Sequence, residues 1–462
     1  MVVLPGIVWL GVDGDVYNLP FLLGGAVTLY AGFKLAKLSL SHKRTSLQLT
    51  FWLFVYCFFG LAASAEMKTN TFPWGNSKQT PGNLVATSLF VASTLVAYEL
   101  GLRRKQLKLL YRITGTLGDP SFNRYLAMTI FCVAISLFAI VKQGGLSEAL
   151  KTRFEVDRTF SVQQTAKSEF LIYGTLQHNP PIIAMLVTLY LLSLPSARGN
   201  RRRILLFLAV GLAGFNLLAN YPPSLPRVNL GSMVMATVLL LSRDRPRAKP
   251  ALTLFAVLAL TLMFPYLDYF RNEQGYSVKD VQKPAQVLTT KADYDAFQMV
   301  SNTVAVVEEN GVDYGYHVLG SLLFFVPREL WLTKPNGTGA TVGEQVGYTF
   351  FNLSSPLWAE LYYAGGLFTA LLGFWLYGNL TGSLEKTEGS NNACAVLVAF
   401  LAGYQVYFLR GDLMNAAAYS TPSLLLTACF FFRSNSLVWT RRTLRSNKSM
   451  NHSSPNLEVQ SS

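Results

Sequence analysis

Blocks of apolar residues long enough to cross a lipid bilayer recur along the whole chain, and they constrain its fold more than any other feature. A helix of roughly 18 to 20 apolar residues spans the ~30 Å hydrocarbon layer and satisfies its own backbone hydrogen bonds there. We count about eleven such blocks, of which the fifth contains Pro180 and Pro181 and the seventh is short. They cover residues 19–38, 47–65, 84–102, 125–141, 172–194, 204–219, 228–241, 252–270, 357–377, 393–409 and 414–432. The sequence therefore predicts an all-α, polytopic integral membrane protein.

The basic residues predict how the chain is oriented in the membrane. A formal net charge of +14 would suggest nucleic acid as a partner, but 51% of the residues are hydrophobic and the charge is not spread evenly. Lys and Arg cluster at residues 34–44, 103–112, 198–203, 243–249 and 441–445, in alternate connections between the blocks. By the positive-inside rule these connections are cytoplasmic, the N-terminus lies outside and the C-terminus lies inside. The charge thus indicates topology and argues against nucleic acid.

The predicted domain organisation is one multi-span membrane domain, residues 1–432, followed by a polar tail. Segments 66–82, 143–170, 220–227 and 271–356 fall on the extracytoplasmic side, and the last is too long for a simple connection. Residues 433–462 are rich in Arg, Ser and Asn, which predicts a disordered cytoplasmic tail. The N-terminus carries Asp13 and Asp15 instead of a basic region, so we expect no cleavable signal peptide.

No residue pattern in the sequence predicts a metal or cofactor site. Cys57, Cys132, Cys394 and Cys429 lie inside apolar blocks and lack the spacing of metal ligands. The Asp-Gly-Asp triplet at residues 13–15 has the form of a metal-binding motif, but three residues of this kind occur readily by chance. We therefore expect neither a metal nor a cofactor.

The most informative part of the long loop is the sequence Val-Pro-Arg-Glu-Leu-Trp-Leu-Thr-Lys-Pro at residues 326–335. An apolar run, residues 319–326, brings Arg328 and Lys334 next to Trp331 at the level of the lipid headgroups. Arg offers a bidentate fork and Lys a mobile point charge, so the two cations suit a phosphate group. The residues leave open the alternative that both side chains reach the interface beside an aromatic belt and bind no ligand.

A carboxylate follows the loop where the ninth block begins. Ser354, Ser355 and Pro356 are typical of a helix start, because Ser is favoured at the N-cap and Pro at the first helical position. Glu360 lies about one turn further on, where a carboxylate is costly unless it has a function or an ionic partner. We interpret Glu360 as a functional residue, with a structural ion pair as the alternative.

Further arginines are spaced along the outer segments. Arg227 ends the Pro-rich turn at residues 220–226, which is stiff enough to hold a side chain in place. Arg153 and Arg158 flank acidic residues, so a solvated charged helix explains them as well. Arg410 stands at the outer end of the tenth block, where it either binds a ligand, pairs with Asp412 or marks the interface.

Several of these residues belong to short motifs that together resemble the O-antigen polymerase family, the Wzy-type oligosaccharide repeat-unit polymerases of bacterial envelopes. The motif similarity covers residues 293–366, and the layout of spans extends it loosely over most of the chain. The sequence departs from the family pattern at Ala364, where Asn is expected. The motifs are Asp-Tyr-Asp-Ala-Phe at 293–297, the glycines at 311 and 315, Pro-Arg-Glu-Leu-Trp at 327–331, Lys-Pro at 334–335, Ser-Ser-Pro at 354–356 and Glu-Leu-Tyr-Tyr-Ala-Gly at 360–365.

The resemblance implies a glycosyl transfer on the extracytoplasmic face of the bacterial inner membrane, without a metal or a cofactor. A growing oligosaccharide leaves its undecaprenyl pyrophosphate and joins a sugar hydroxyl of an incoming lipid-linked repeat unit. Arg and Lys then have to stabilise the charge that develops on the leaving pyrophosphate. The implied partners are lipid-linked oligosaccharides, membrane lipid, a flippase and a chain-length regulator.

The implied site combines two catalytic residues with a set of substrate-binding residues. Glu360 is the first choice for the group that accepts the proton of the attacking hydroxyl, ahead of Glu344 and His317. Arg328 is expected to stabilise the leaving pyrophosphate. The expected substrate-binding residues are Arg227, Lys334, Arg153, Arg158, Arg410, Trp331 and Tyr363.

Three other functions are compatible with the sequence. An O-antigen ligase has similar outer arginines and would be distinguished by a histidine pattern in the long loop, in which His317 does not stand. A flippase or transporter of lipid-linked oligosaccharide would need polar residues at the span centres, where Arg and Asp are nearly absent. A scaffold in an envelope assembly would depend on no single outer arginine.

Overall fold

Helices make up all the regular secondary structure of the part of the chain that the computed structural model describes. The described residues are 1, 3–105, 107–152, 155, 167–263, 284–350 and 353–432. Their helical content confirms the all-α prediction. In chain order the main helices are α1 (Val3–Leu10), α2 (Leu19–Ser39), α3 (Ser46–Thr69), α4 (Pro81–Leu102), α5 (Lys108–Gly115), α6 (Phe122–Lys142), α7 (Leu146–Ala149), α8 (Lys167–Ser193), α9 (Gly199–Ala219), α10 (Arg227–Ser242), α11 (Pro246–Met263), α12 (Pro284–Thr290), α13 (Ala296–Asn310), α14 (Tyr316–Leu322), α15 (Thr338–Val346), α16 (Leu357–Ser390), α17 (Asn392–Arg410) and α18 (Leu413–Phe431).

Seven of the described helices are long and apolar enough to cross a membrane, namely α2, α3, α4, α6, α9, α11 and α17. A chain with this many apolar helices is a multi-pass membrane protein, as predicted. The other four predicted blocks also form helices, α8, α10, α16 and α18, of which α8 contains Pro180 and Pro181 and α10 has only 16 residues. The eleven-span topology and its orientation stay predictions.

The helix α3 lies at the centre of the bundle, because its apolar stretch is almost wholly buried among the other helices. Its middle segment, Val55–Ala62, is π-helical, a rare form that is frequent at functional sites. Phe54 and Phe59 project from α3 onto Trp358, with ring centroids 5.9 Å and 4.5 Å from the indole ring. Trp358, which follows the long loop, is therefore buried beside the middle of α3.

A reversal of the chain at Gly365 and Gly366 divides α16 into two antiparallel arms. The backbone leaves the helical region there, and the φ of +69° at Gly366 favours glycine because it has no Cβ. The ring centroids of Trp358 and Phe374 lie 4.4 Å apart. In a straight helix these two residues would be separated by about 24 Å. The prediction of one straight span over residues 357–377 is therefore wrong.

The two arms of α16 run in opposite directions along α4. The short arm, residues 357–364, is antiparallel to α4, and the long arm, residues 367–390, is parallel to it. The contacts are those of Trp358 with Thr94 and of Tyr362 with Phe90 for the short arm, and those of Gly378 with Tyr98 and of Gly382 with Leu102 for the long arm. The non-helical residues 353–356 before the short arm are buried inside the bundle. Non-helical backbone at this level requires protein around it, since lipid cannot satisfy its polar groups.

The long loop enters the bundle a second time through α12 and α13. The turn between these helices, residues 292–295, is called the deep turn here. Tyr294 lies 5.7 Å from Phe58 of α3, whereas Glu309 at the far end of α13 pairs with Lys78 in the connection before α4. The helix α13 thus runs from the middle of α3 out to the end of the bundle.

One buried side of α13 is polar, and it is fixed by hydrogen bonds to the connection between α3 and α4 and to the first turn of α4. Gln298 and Asn302 have no exposed surface. Each of them reaches a different part of that connection, so the loop is folded onto the bundle and not merely attached at its ends. The hydrogen bonds are Trp74 N to Gln298 Oε1 (2.9 Å), Gln79 Nε2 to Asn302 Oδ1 (2.7 Å) and Asn83 Nδ2 to Ser301 O (3.0 Å).

Candidate functional site

Two arginines from distant parts of the sequence meet at the deep turn. Arg227, the first residue of α10, forms a bidentate ion pair with Asp293, in which Nη1 and Nη2 each lie 3.2 Å from a carboxylate oxygen. Arg410, the last residue of α17, donates from Nη2 to Asp295 Oδ1 at 3.1 Å and to Ala292 O at 2.8 Å. We call these four side chains the arginine site. It brings together the predicted substrate-binding residues Arg227 and Arg410 and the two carboxylates of the Asp-Tyr-Asp-Ala-Phe motif.

Local sequence explains why both arginines reach the deep turn. The Pro-rich turn before α10 ends at Pro226, and Arg227 follows as the first helical residue, so its backbone direction is fixed. The helices α10 and α17 pack closely because Gly403 lies against the backbone of Ser232. Close packing without a side chain at this crossing brings the ends of the two helices to the same side of the deep turn.

Asp295 connects the arginine site to the rest of the bundle through its hydrogen bonds. It is 1% exposed, and it accepts hydrogen bonds from Trp74 Nε1 at 2.9 Å and from Ser354 Oγ at 2.6 Å, besides the ion pair with Arg410. Glu66 of α3 is buried and interacts electrostatically with Asp295, but neither of its carboxylate oxygens has a hydrogen-bond partner in the described structure. The sequence analysis did not single out Glu66.

Glu360 of the short arm is not exposed to solvent and lies next to a second carboxylate, Asp412. We call these two residues the acid pair; they are 1% and 8% exposed. Glu360 accepts hydrogen bonds from Thr338 Oγ1 at 2.6 Å and from the backbone N–H of Leu413 at 3.0 Å. Asp412 caps α18 by accepting from the backbone N–H of Met414 at 3.0 Å. The start of α18 thus holds both carboxylates, as expected from the positive end of a helix dipole.

Burial raises the pKa of the Asp412 carboxyl above its ordinary value, and the backbone N–H groups at the start of α18 partly oppose this shift. Only Gly411 separates Asp412 from Arg410 in the sequence, so the acid pair and the arginine site adjoin each other. Ser354 extends the same network, since it binds Asp295 six residues before Glu360.

His317 stands in a hydrogen-bonded chain that we call the His317 relay. Its Nδ1 lies 2.6 Å from Asp313 Oδ2 and its Nε2 lies 3.1 Å from Thr341 Oγ1. Because a carboxylate only accepts, Nδ1 carries the proton, and in the neutral imidazole Nε2 is an acceptor. The single proton of the Thr341 hydroxyl points either to Nε2 or to Gly337 O, which lies 3.3 Å away. The ring of Tyr363, a predicted substrate-binding residue, packs 5.1 Å from the imidazole.

The relay is anchored at the reversal in α16. The backbone N–H of Asp313 donates to Tyr363 O at 3.0 Å, a carbonyl whose helical partner is lost at Gly366. Burial alone would raise the pKa of Asp313, but hydrogen bonds from the imidazole and backbone N–H of His317 and from the backbone N–H of Gly315 hold that pKa below its ordinary value. The carboxylate is therefore ionised at neutral pH and orients the imidazole.

Arg328 and Lys334 lie in a different part of the loop and are engaged with its backbone. Arg328 is exposed and donates to Lys334 O at 2.7 Å and to Pro335 O at 3.1 Å. Lys334 is buried, and its Nζ donates to Phe324 O at 2.7 Å and to Val326 O at 2.8 Å. Burial, followed by the neighbouring Arg328, lowers the pKa of Lys334. In this structure both side chains hold the loop together.

The remaining predicted residues fall in three groups. Trp331 lies at the loop surface, where its Nε1 donates to Tyr316 Oη at 3.2 Å. Glu344 is exposed on α15. Arg153 and Arg158, like the start of the long loop at 271–283 and the tail at 433–462, lie outside the described residues.

Sequence reasoning missed Asp313 and Thr341 as members of the site. It considered Asp412 only as a partner of Arg410, which pairs with Asp295 instead. The spacing of Asp313 and His317 by four residues is a signal that a helical turn would bring them together. No similar signal links Asp412 to Glu360, because their contact depends on the fold.

Among the described residues, no group of three or more His, Cys, Asp or Glu side chains has the arrangement of a metal site. No family model, curated protein or solved structure matches the chain.

Proposed function

We propose that the protein polymerises undecaprenyl-pyrophosphate-linked oligosaccharide repeat units by glycosyl transfer on the extracytoplasmic face of a bacterial inner membrane. The observation that carries the proposal is the convergence of Arg227 and Arg410 on the deep turn, beside the acid pair. Two guanidinium groups at one site suit a pyrophosphate, which offers several charged oxygens to their N–H groups. Asp293 and Asp295 hold the guanidinium groups in place and compete with the bound pyrophosphate for them.

The His317 relay supplies the base for this reaction. The acceptor sugar hydroxyl donates to His317 Nε2 in the position that the Thr341 hydroxyl occupies in the structure. The hydroxyl oxygen attacks the anomeric carbon of the donor chain, its proton passes to Nε2, and the bond from that carbon to the pyrophosphate oxygen breaks. Asp313 stabilises the imidazolium that forms, and the arginines take up the charge on the leaving pyrophosphate.

Glu360 takes a positioning role in this proposal instead of the role of base that the sequence first suggested. Glu360 is 1% exposed, whereas the His317 side chain is 11% exposed, so His317 is the more accessible of the two to an acceptor hydroxyl. The carboxylate oxygens of Glu360 accept hydrogen bonds from Thr338 and from the backbone of Leu413. It therefore joins the start of α15 to the start of α18, the two elements that flank the His317 relay and Arg410. Arg328 and Lys334 stabilise the loop through their hydrogen bonds to its backbone in this proposal. The proposed partner proteins are a flippase and a chain-length regulator.

The test is the banding pattern of surface polysaccharide in cells that lack the gene and carry one variant each. Arg227→Lys and His317→Gln are expected to abolish the polymer ladder and leave a single repeat unit, with normal protein levels. The matched controls are Arg112→Lys on α5 and His42→Gln, both exposed in the connections predicted to be cytoplasmic. Full ladders from both site variants would refute the proposal.

A ligase is the second candidate, and the His317 relay is the observation that favours it. A ligase passes a finished polymer to a different acceptor and needs a base for the acceptor hydroxyl in the same way. The banding experiment distinguishes the two, because loss of a ligase leaves intact polymer on the undecaprenyl lipid.

Transport is a third candidate because the chain enters the bundle twice with broken helices, which transporters commonly use to build substrate sites. The chain enters the bundle at the deep turn and at residues 353–356. A liposome assay with the pure protein tests this alternative, since a flippase moves lipid-linked oligosaccharide between leaflets without any second substrate.

A further inference from the structure

We propose that residues 316–332 of the long loop, called the apolar segment here, insert their apolar side chains into the lipid leaflet at that end of the helix bundle. The proposal concerns how the loop meets the membrane and does not depend on the reaction catalysed. The partner is the leaflet itself, recognised through acyl chains and headgroups.

The first observation is a concentration of exposed apolar side chains in a loop. Leu322 is 68% exposed, Phe325 67%, Leu330 81% and Leu332 87%, and Leu319 is also exposed. Contiguous apolar surface of this kind on a soluble loop promotes association and is normally covered. Something therefore covers this segment in the native protein.

The second observation is that the segment continues the lipid-facing surface of the bundle. Gly320 lies against Met414 in the first turn of α18, and α14 also packs against α16. The same two helices carry exposed apolar side chains, since the long arm of α16 exposes Phe368 (76%) and α18 exposes Leu425 (62%). Side chains of this kind on membrane helices face acyl chains, so the apolar segment lies next to the leaflet and not above a polar surface.

The third observation is that polar backbone groups of the segment are satisfied from inside the loop, as an apolar medium requires. After α14 the chain is not a regular helix, so its carbonyl groups need partners if they enter an apolar medium. Lys334 supplies two of them by donating from Nζ to Phe324 O and Val326 O while buried in the loop. These two carbonyl groups are therefore satisfied without water.

The polar atoms of Trp331 and Tyr316 suit a position at the level of the lipid headgroups. Trp331 Nε1 donates to Tyr316 Oη, and Tyr316 Oη donates to Thr333 O at 2.6 Å. Trp and Tyr with satisfied polar atoms are enriched where one end of a side chain is apolar and the other is wet. Arg328 and Glu329 are exposed neighbours of opposite charge, so the segment has no net charge that would favour an acidic or basic protein partner.

The experiment is a depth measurement with spin labels in the complete chain, reconstituted in phosphatidylethanolamine and phosphatidylglycerol vesicles. Cys429→Ser removes the one exposed cysteine, since Cys57, Cys132 and Cys394 are buried. Single cysteines then replace Leu322, Phe325 and Leu330 in turn. The control is Glu344→Cys on α15, an exposed position of the same loop.

We expect labels at the three apolar positions to collide severalfold more often with oxygen than with a water-soluble nickel chelate, and the label at 344 to show the reverse. The same aqueous pattern at all positions would overturn the proposal. Protection from both reagents would also overturn it, because it would indicate a protein partner. Bromolipid quenching, compared between the unsubstituted chain and Trp331→Phe, gives a second measurement without cysteine variants; an equal loss of fluorescence in both would count against insertion.

Discussion

Gly337→Ala tests how closely the long loop packs on the acid pair. Gly337 has the extended backbone of an N-cap, with φ of −62° and ψ of 145°, so alanine adopts it without strain. A Cβ at this position would stand 2.7 Å from Asp412 Cγ. Ordinary carbon–carbon contact is ~3.5 to 4.0 Å, so the carboxylate has to move by about 1 Å.

The displaced carboxylate cannot move freely, because Asp412 is buried and caps α18 through Met414 N. Overpacking of a buried site costs about 1 to 3 kcal/mol, and loss of an N-cap costs about 1 kcal/mol. We therefore expect Gly337→Ala to lower the free energy of unfolding by about 1 to 3 kcal/mol and to reduce polymer formation.

The assay is thermal unfolding in detergent, followed with a thiol-reactive dye that reports exposure of the buried cysteines. Gly82→Ala is the matched control, since no atom lies within 4 Å of a Cβ there and Gly82 is also at the start of a helix. If both variants unfold at the temperature of the unsubstituted protein, Gly337 does not pack on Asp412 and the described site is incorrect.

Three further substitutions test the fold and its charges. Asp412→Asn keeps an N-cap residue and removes a carboxyl whose pKa is raised by burial. Because ionising such a group destabilises the fold, the penalty is absent below the unfolded value of ~3.9 and grows as the pH rises toward the folded value. The variant should therefore unfold at a higher temperature than the unsubstituted protein at pH 7 and at the same temperature near pH 4; equal curves at both would contradict this. Gly378→Ala would bring a Cβ within 2.9 Å of the backbone of Tyr98, so it should destabilise the protein by about 1 to 3 kcal/mol, whereas Gly211→Ala, with open space around it, should not. Glu66→Gln should raise the unfolding temperature because the buried carboxylate has no hydrogen-bond partner among the described residues. Glu99→Gln, which breaks an ion pair with Lys34, should lower it; the opposite order would refute this assignment.

The sequence predicted the helices well, because the hydrophobic blocks carry a strong signal for them. Each of the eleven blocks lies on a helix of the structure, as far as the described residues extend. The reversal at Gly365 and Gly366 was missed because residues 357–377 are predominantly apolar, and the mean hydropathy of such a window does not register a turn. The two adjacent glycines were the available signal.

The candidate site was predicted only in part, because the contacts that create it join residues far apart in the sequence. Arg227 and Arg410 were identified from their positions at the ends of blocks, but nothing in the sequence pairs them with Asp293 and Asp295. The helix α13 was assigned to the long loop, because its 15 residues mix apolar side chains with Gln298 and Asn302 and are too few and too polar to form a span.

The reversal in α16 has a consequence for how the protein is made. The short arm is too brief for the insertion machinery to accept as a span, so it cannot enter the membrane during synthesis on its own hydrophobicity. Its place between α3 and α4 exists only after those two helices have associated. Trp358, which joins all three, therefore docks only after α3 and α4 have associated.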